Sequence, residues 1–211
     1  MIWKDYSNLK NTHAFCGASK NSWRNYTVDK LIEAKIASYA TTIGTLLHEY
    51  ASKNIKKHFK MAKTDKRDVL RYLIVENNIP PNAVDIDRLY PNLMNYVNDC
   101  IGYRMESEVT LRYSDDFYGT TDAISWENNE LKIFDLKTGV NHVSFTQLEN
   151  YAAFFCLDYN VKPSQIKHLE FRIYQNGDII LAEPDSSIIF PIISQIVNFD
   201  KELVAFKGDR R

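Results

Sequence analysis

Cysteine is scarce in this chain: 3 in 211 residues, at Cys16, Cys100 and Cys156, with no two in a CxxC pair. That spacing excludes a four-cysteine zinc site and a disulfide framework, and it reads as buried free thiols in a reducing compartment. Glycine and proline are also sparse, at 7 and 6, so no collagen-like, low-complexity or disordered tract is present. No apolar run approaches the roughly 20 residues a membrane-spanning helix needs. The opening MIWKDYSNLK lacks the apolar centre of a secretion signal, so a cytoplasmic location is the expectation. The formal charge is only −1, which argues against coating a polyanion by bulk attraction.

What is present is enough for one globular domain over 1–211, with 45% hydrophobic residues. A chain of this length buries roughly 70% of its unfolded surface. Charge is unevenly spread. From Lys53 to Arg71 the chain is +6 and the remainder is −7. Such a stripe is either a solvated helix face or a guide for a polyanion.

Residues 1–105 read as mostly helical. Ile43, Leu46, Leu47, Tyr50, Ala51, Ile55 and Phe59 recur at helical steps inside a pattern running from Val28 to Lys60. Further helices are expected over Lys66–Glu76 and Leu89–Tyr103, the latter with Pro91 in its first turn. The period then changes to two. Val109, Leu111 and Tyr113 mark one strand, and YGTTDAISWENNELKIFDLKTG, Tyr118 to Gly139, reads as two more. A helix over Ser144–Asn160 with Ser144 as N-cap follows. Then come two strands around the turn Asn176-Gly177 and a closing helix from about Ser187 to Phe206. Mixed helices and strands in this order specify an α/β layer protein, with the sheet in 106–183 and the last helix in 184–211.

The pair Asn128-Asn129 suits a two-residue hairpin turn. With that turn Glu127 faces Glu130, and Asp122 falls opposite Asp135 on the same face. Opposed side chains have Cβ atoms about 4.5–5.5 Å apart, and like charges there repel. A divalent cation would resolve the conflict. Lys137, two residues on, points to the same face, a diagonal about 7–8 Å from Asp122. Gln147 and Tyr151 share one helix face. His48 lies beside the apolar stripe and should point inward. Glu49 either lines the site or pairs with Lys53, and Glu106 and Glu108 are outside candidates for a second metal.

The ordered set GTLLH (Gly44–His48), GTTD (Gly119–Asp122), FDLK (Phe134–Lys137) and QLENY (Gln147–Tyr151) resembles the PD-(D/E)XK nuclease superfamily, in its RecB-like branch. The resemblance spans Thr41 to Glu183, and the compact size is similar to phage- or prophage-type exonucleases. It implies a restriction-endonuclease-like αβββαβ core with a mixed sheet, preceded by a helical segment. Asp122 and Asp135 match the catalytic metal-binding acids, with the backbone carbonyl of Leu136 and His48 as further metal ligands. Lys137 matches the residue that activates water and stabilises charge on the phosphate. Gln147 and Tyr151 match residues that position nucleic acid and support the lysine. Asp135 stands where the family often has glutamate.

The implied activity is Mg²⁺- or Mn²⁺-dependent hydrolysis of DNA, by an exonuclease in a phage, recombination or repair setting, leaving a 5′-phosphate. DNA is the expected partner, with a recombination or helicase partner and self-association left open, and no membrane. Some relatives in that branch carry a four-cysteine iron–sulfur cluster. With three scattered cysteines, no iron–sulfur cluster is expected here. Two rival readings stand beside the enzyme. One is a catalytically silent nucleic-acid-binding or regulatory protein on the same fold. The other is a nuclease subunit that needs a partner.

Overall fold

The computed structural model describes Asp5, residues 7–9 and residues 14–208. Its first long helices are α1 (Val28–Ala37) and α2 (Ala40–Lys56). The single helical pattern over Val28–Lys60 is therefore two helices. They part at Ser38, whose hydroxyl donates to the Lys35 carbonyl at 2.6 Å and competes with the backbone ladder. Helix α1 starts at Thr27, whose hydroxyl accepts the Lys30 N–H at 3.2 Å, and it buries none of its residues. Helix α2 buries Ile43, Leu47, Ala51 and Ile55, the stripe its spacing predicts.

Helix α3 (Lys66–Arg71) runs on as a π-type turn through Glu76. Helix α4 (Ile86–Gly102) begins three residues before the expected Leu89, because the Asp85 carboxylate caps it by accepting the Arg88 N–H at 3.2 Å. Pro91 consequently lies inside the helix and not in its first turn, where it forfeits one ladder bond.

Five strands follow: β1 (Glu106–Arg112), β2 (Tyr118–Glu127), β3 (Glu130–Leu136), β4 (His168–Gln175) and β5 (Asp178–Ala182). They form one sheet in the order β1-β2-β3-β4-β5. All neighbours are antiparallel except β3 and β4, which are parallel and joined through helix α5 (Thr146–Asp158). Both hairpin turns have left-handed backbones, with φ of 55° and 66° at Asn128 and Asn129, and 53° and 89° at Asn176 and Gly177. Those are the values that twist-matched two-residue turns require. Helix α5 starts two residues later than expected. The Ser144 hydroxyl donates to Thr146 Oγ1 at 3.3 Å, and the N-cap residue, Phe145, makes no side-chain cap bond. Helix α6 (Ile189–Gly208) ends the described chain.

The strand alternation splits the core into two layers. On one face Phe134, Leu136 and Tyr174 pack with Leu47 of α2 and Leu93 and Tyr96 of α4. On the other, Ile133, Phe171 and Ile173 pack with Leu148 and Ala152 of α5 and Ile189 of α6. The architecture is a mixed five-stranded α/β sheet flanked by helices. Cys100 and Cys156 are buried in opposite layers, whereas Cys16 is exposed, contrary to the expectation of three buried thiols. Among the described residues no helix is long and apolar enough to cross a membrane.

Candidate active site

The β2–β3 register is the one that the Asn128-Asn129 turn predicts: Glu127 pairs with Glu130, Trp126 with Leu131 and Ala123 with Phe134. The paired ladder ends there. One step beyond the last pair lie Asp122 and Asp135, where the strands part. The Asp122 carboxylate then takes a place in the ladder, its Oδ2 accepting the Leu136 N–H at 2.9 Å. The parting lets groups from both helical layers reach one pair of acids.

From the first layer comes His48 on α2, with Nδ1 3.2 Å from Asp122 Oδ1. Two features hold α2 in place. The buried hydroxyls of Ser52 and Ser107 share a hydrogen bond of 2.9 Å, one helical turn beyond His48. One turn before it, a Cβ on Gly44 would lie 3.0 Å from Thr138 Oγ1, so glycine permits the helix to approach the loop after β3. Strand β1 adds Glu108. Its neighbours pair regularly, Ser107 with Ala123 and Val109 with Thr121, which sets Glu108 opposite Asp122. Its φ of 57° is foreign to a strand and strained for a residue with a side chain. The result is a group of donor atoms from His48, Glu108 and Asp122, all within 4.8 Å of one another.

From the second layer comes the support for Lys137. Its ammonium lies 3.0 Å from Asp135 Oδ1 and donates to Gln147 Oε1 at 2.8 Å; Gln147 Nε2 in turn donates to the Tyr151 hydroxyl at 3.1 Å. Two of the three ammonium donors are thereby committed and one is left for a ligand. Asp135 is only 3% exposed, and its second oxygen, Oδ2, is buried without a hydrogen-bond partner. An orphaned buried carboxylate oxygen is costly and calls for a cation or proton.

The electrostatics agree. Burial, then repulsion from Asp122, push the Asp135 carboxyl up to about 6, against the pull of Lys137 and His48. Burial and the Asp122 charge also raise Glu108. Burial opposes charge on His48, but the hydrogen bond and charge of Asp122, with Asp135 and Glu108, outweigh it and raise its pKa. Burial leads the first two shifts and the Asp122 charge adds to them, whereas the His48 shift arises from the surrounding carboxylates against burial.

The structure thus gathers His48, Asp122, Asp135, Lys137, Gln147 and Tyr151, and Leu136 lies among them with its N–H held by Asp122. Of the two outside candidates, Glu108 joins the cluster. Glu106 does not: it lines a separate cavity of about 520 Å³ with Arg104, Trp126, Phe155 and Tyr159. Glu49 lines the cleft and accepts a long 3.5 Å bond from the Tyr72 hydroxyl. The alternative Glu49–Lys53 pair does not form, since the Lys53 ammonium lies over the Tyr72 ring at 5.6 Å. The cleft itself, about 780 Å³, runs from Thr41 and Thr138 past His48, Glu108 and Asp122 to Lys53 and Lys56. No sequence signal distinguishes Glu108 from Glu106, because a left-handed residue within a strand leaves no periodicity.

The site defines a class: an α/β protein with a carboxylate–histidine cluster and a buttressed lysine at the parted end of a hairpin. The chain belongs to the family of proteins of unknown function designated DUF2800, which matches residues 13–175. That span contains every residue of the cluster and stops at the last residue of β4. No curated protein and no solved structure matches the chain.

Proposed function

We propose that this protein is a metal-dependent nuclease that hydrolyses DNA phosphodiester bonds, on an αβββαβ core of the PD-(D/E)XK kind. The carrying observation is Asp135: one buried carboxylate oxygen on Lys137, the other without a partner, beside a second acid that repels it. The residues fit a divalent cation. His48, Glu108 and Asp122 would hold it, with the unpartnered Asp135 oxygen and the Leu136 carbonyl as further oxygens, and an imidazole among carboxylates favours Mn²⁺ over Mg²⁺. A cation bound there supplies Lewis-acid polarisation of the phosphate and a more acidic water.

The protein's own groups do the rest. Asp135 and Gln147 fix the Lys137 ammonium from two sides, and its remaining N–H donates to the water or to a phosphate oxygen as negative charge develops. Tyr151 holds Gln147, so the helix face of α5 sets the position of the lysine. Both acids and the lysine are present and connected, which favours an enzyme over a silent binder.

The test is digestion of end-labelled linear DNA and closed circular DNA in Mn²⁺, Mg²⁺ and EDTA, beside Lys137→Ala. Release of label from linear DNA alone indicates an exonuclease, and nicking of the circle an endonuclease. Failure to cut either substrate in Mn²⁺, or cutting that survives Lys137→Ala, overturns the proposal.

A further inference from the structure

The cleft does not end at its acids. His48 and Lys56 are eight residues apart on α2, about 12 Å along the helix, and both line the same cleft, together with Lys53. Beyond the helix Lys57 is its C-cap, His58 turns left-handed at φ 53°, and Lys60 follows. Lys63, Lys66, Arg67 and Arg71 continue the basic run through α3. We infer that the phosphate backbone of a nucleic-acid strand lies along this track, held by Lys53, Lys56, Lys57 and Lys60 as it leaves the acidic cluster. The inference rests on the nuclease reading and adds where, and in which direction, the substrate runs.

A solvated helix face is the plain alternative. Cations in the last turn of α2 are favoured by the helix dipole, which accounts for Lys53 and Lys56. It does not account for the charges beyond. Lys66 pairs with Asp87, and Arg71 lies 3.8 Å from Glu76. Among the described residues, no carboxylate lies within 4.0 Å of Lys56, Lys57, Lys60, Lys63 or Arg67. Of the two acids in the stretch, Asp65 is already committed to capping the Ala62 N–H at 2.9 Å. Elsewhere the surface mixes signs, as in Asp200, Lys201 and Glu202 of α6. Unpaired like charges repel, and a polyanion relieves them. The position also fits. The cluster of three carboxylates repels a phosphate chain, so the charge that draws the chain must begin where the acids end, as these lysines do. Phe59, 60% exposed among them, adds a ring on which a base can stack.

Binding of a fluorescein-labelled oligonucleotide, single-stranded in one arm and duplex in the other, tests this in EDTA over a range of KCl concentrations. The slope of log K against log salt reports phosphate contacts, about 0.7 each for single strands and about 0.9 for duplex. Lys56→Gln/Lys57→Gln/Lys60→Gln should reduce the slope by about 2 in the single-strand arm and by about 3 in the duplex arm. Lys162→Gln/Lys167→Gln/Lys201→Gln, with the same change in net charge on exposed lysines elsewhere, should leave it as in the wild type. An equal loss in both triples, an unmoved slope in the first, or no binding by the wild type overturns the inference. A protein that binds with the expected slopes yet cuts nothing in Mn²⁺ sinks the nuclease reading and keeps the track. One that cuts while its slope ignores the first triple sinks the track alone.

Discussion

A Cβ atom on Gly119 would lie 2.8 Å from Cε1 of Tyr151, closer than a Cβ approaches another heavy atom. The absence of a side chain on β2 is what gives the tyrosine ring its place on α5, and the tyrosine is what holds Gln147 against Lys137. Gly119→Ala should therefore displace the ring, destabilise the protein by about 1–3 kcal/mol through overpacking, and lower DNA cleavage with it. Gly44→Ala makes a milder comparison. Its Cβ meets only a hydroxyl that can rotate, and alanine recovers about 1 kcal/mol of helix propensity. Thermal melts and cleavage rates of the two variants check this order, and an equally stable Gly119→Ala would contradict it.

Lys137→Ala should abolish measurable cleavage, since among the described residues the ammonium is the only cation within 4.0 Å of the Asp135 carboxylate. Asp122→Ala and Asp135→Ala should do the same. Because the three act as a unit, the double variant Asp122→Ala/Lys137→Ala should be little slower than either single one. Multiplicative losses in the double variant would show that the groups work independently.

His48→Ala and Glu108→Gln should each raise the Mn²⁺ concentration required for half-maximal cleavage, by about 10-fold or more. If His48 serves only as packing, its removal would lower the melting temperature and leave the metal requirement where it was. Glu108 separates the proposal from any reading limited to Asp122 and Asp135, because it enters the cluster only through its left-handed backbone.

Mn²⁺ should raise the melting temperature, because it binds the folded cluster and not the unfolded chain. The gain follows mass action, about 2.7 kcal/mol at one hundred times the dissociation constant. Asp122→Asn should lose that response. It should also be no less stable than the wild type in EDTA, since it removes one of two facing charges while its side-chain oxygen can still accept the Leu136 N–H. Equal Mn²⁺-induced shifts in both proteins would mean that the two aspartates share no cation.

The metal-free protein should become less stable as pH rises through about 5 to 7. The folded Asp135 keeps its proton up to about 6, whereas an unfolded aspartate loses it near 3.9. In that interval the folded state binds more protons, so stability falls with rising pH. His48 acts in the same sense. Its folded pKa is raised, so its contribution is complete below the unfolded value and fades as pH climbs through the folded one. Melts in EDTA across this range should show a shallower decline for Asp135→Asn than for the wild type. Parallel curves would remove Asp135 as the titrating group.

Local spacing in the sequence was enough to determine the hairpin. Two asparagines that accept a left-handed backbone and a period of two dictate that Glu127 faces Glu130. The same turn puts Asp122 and Asp135 one step beyond the last paired residues, Ala123 and Phe134. The four-residue step from Gln147 to Tyr151 likewise follows from helix geometry alone. These relations lie within one or two elements, where backbone periodicity and turn chemistry decide.

The rest was decided by packing between elements remote in the chain. His48 meets Asp122 because a serine pair and a missing Cβ seat α2 against β1 and the loop after β3. Glu108 faces Asp122 through the β1–β2 register and a strained φ that no alternation announces. Lys53 turns to Tyr72 instead of Glu49 because α3 brings a ring within reach. Such contacts depend on how many weak terms balance across separate layers, and no short stretch of residues contains that balance.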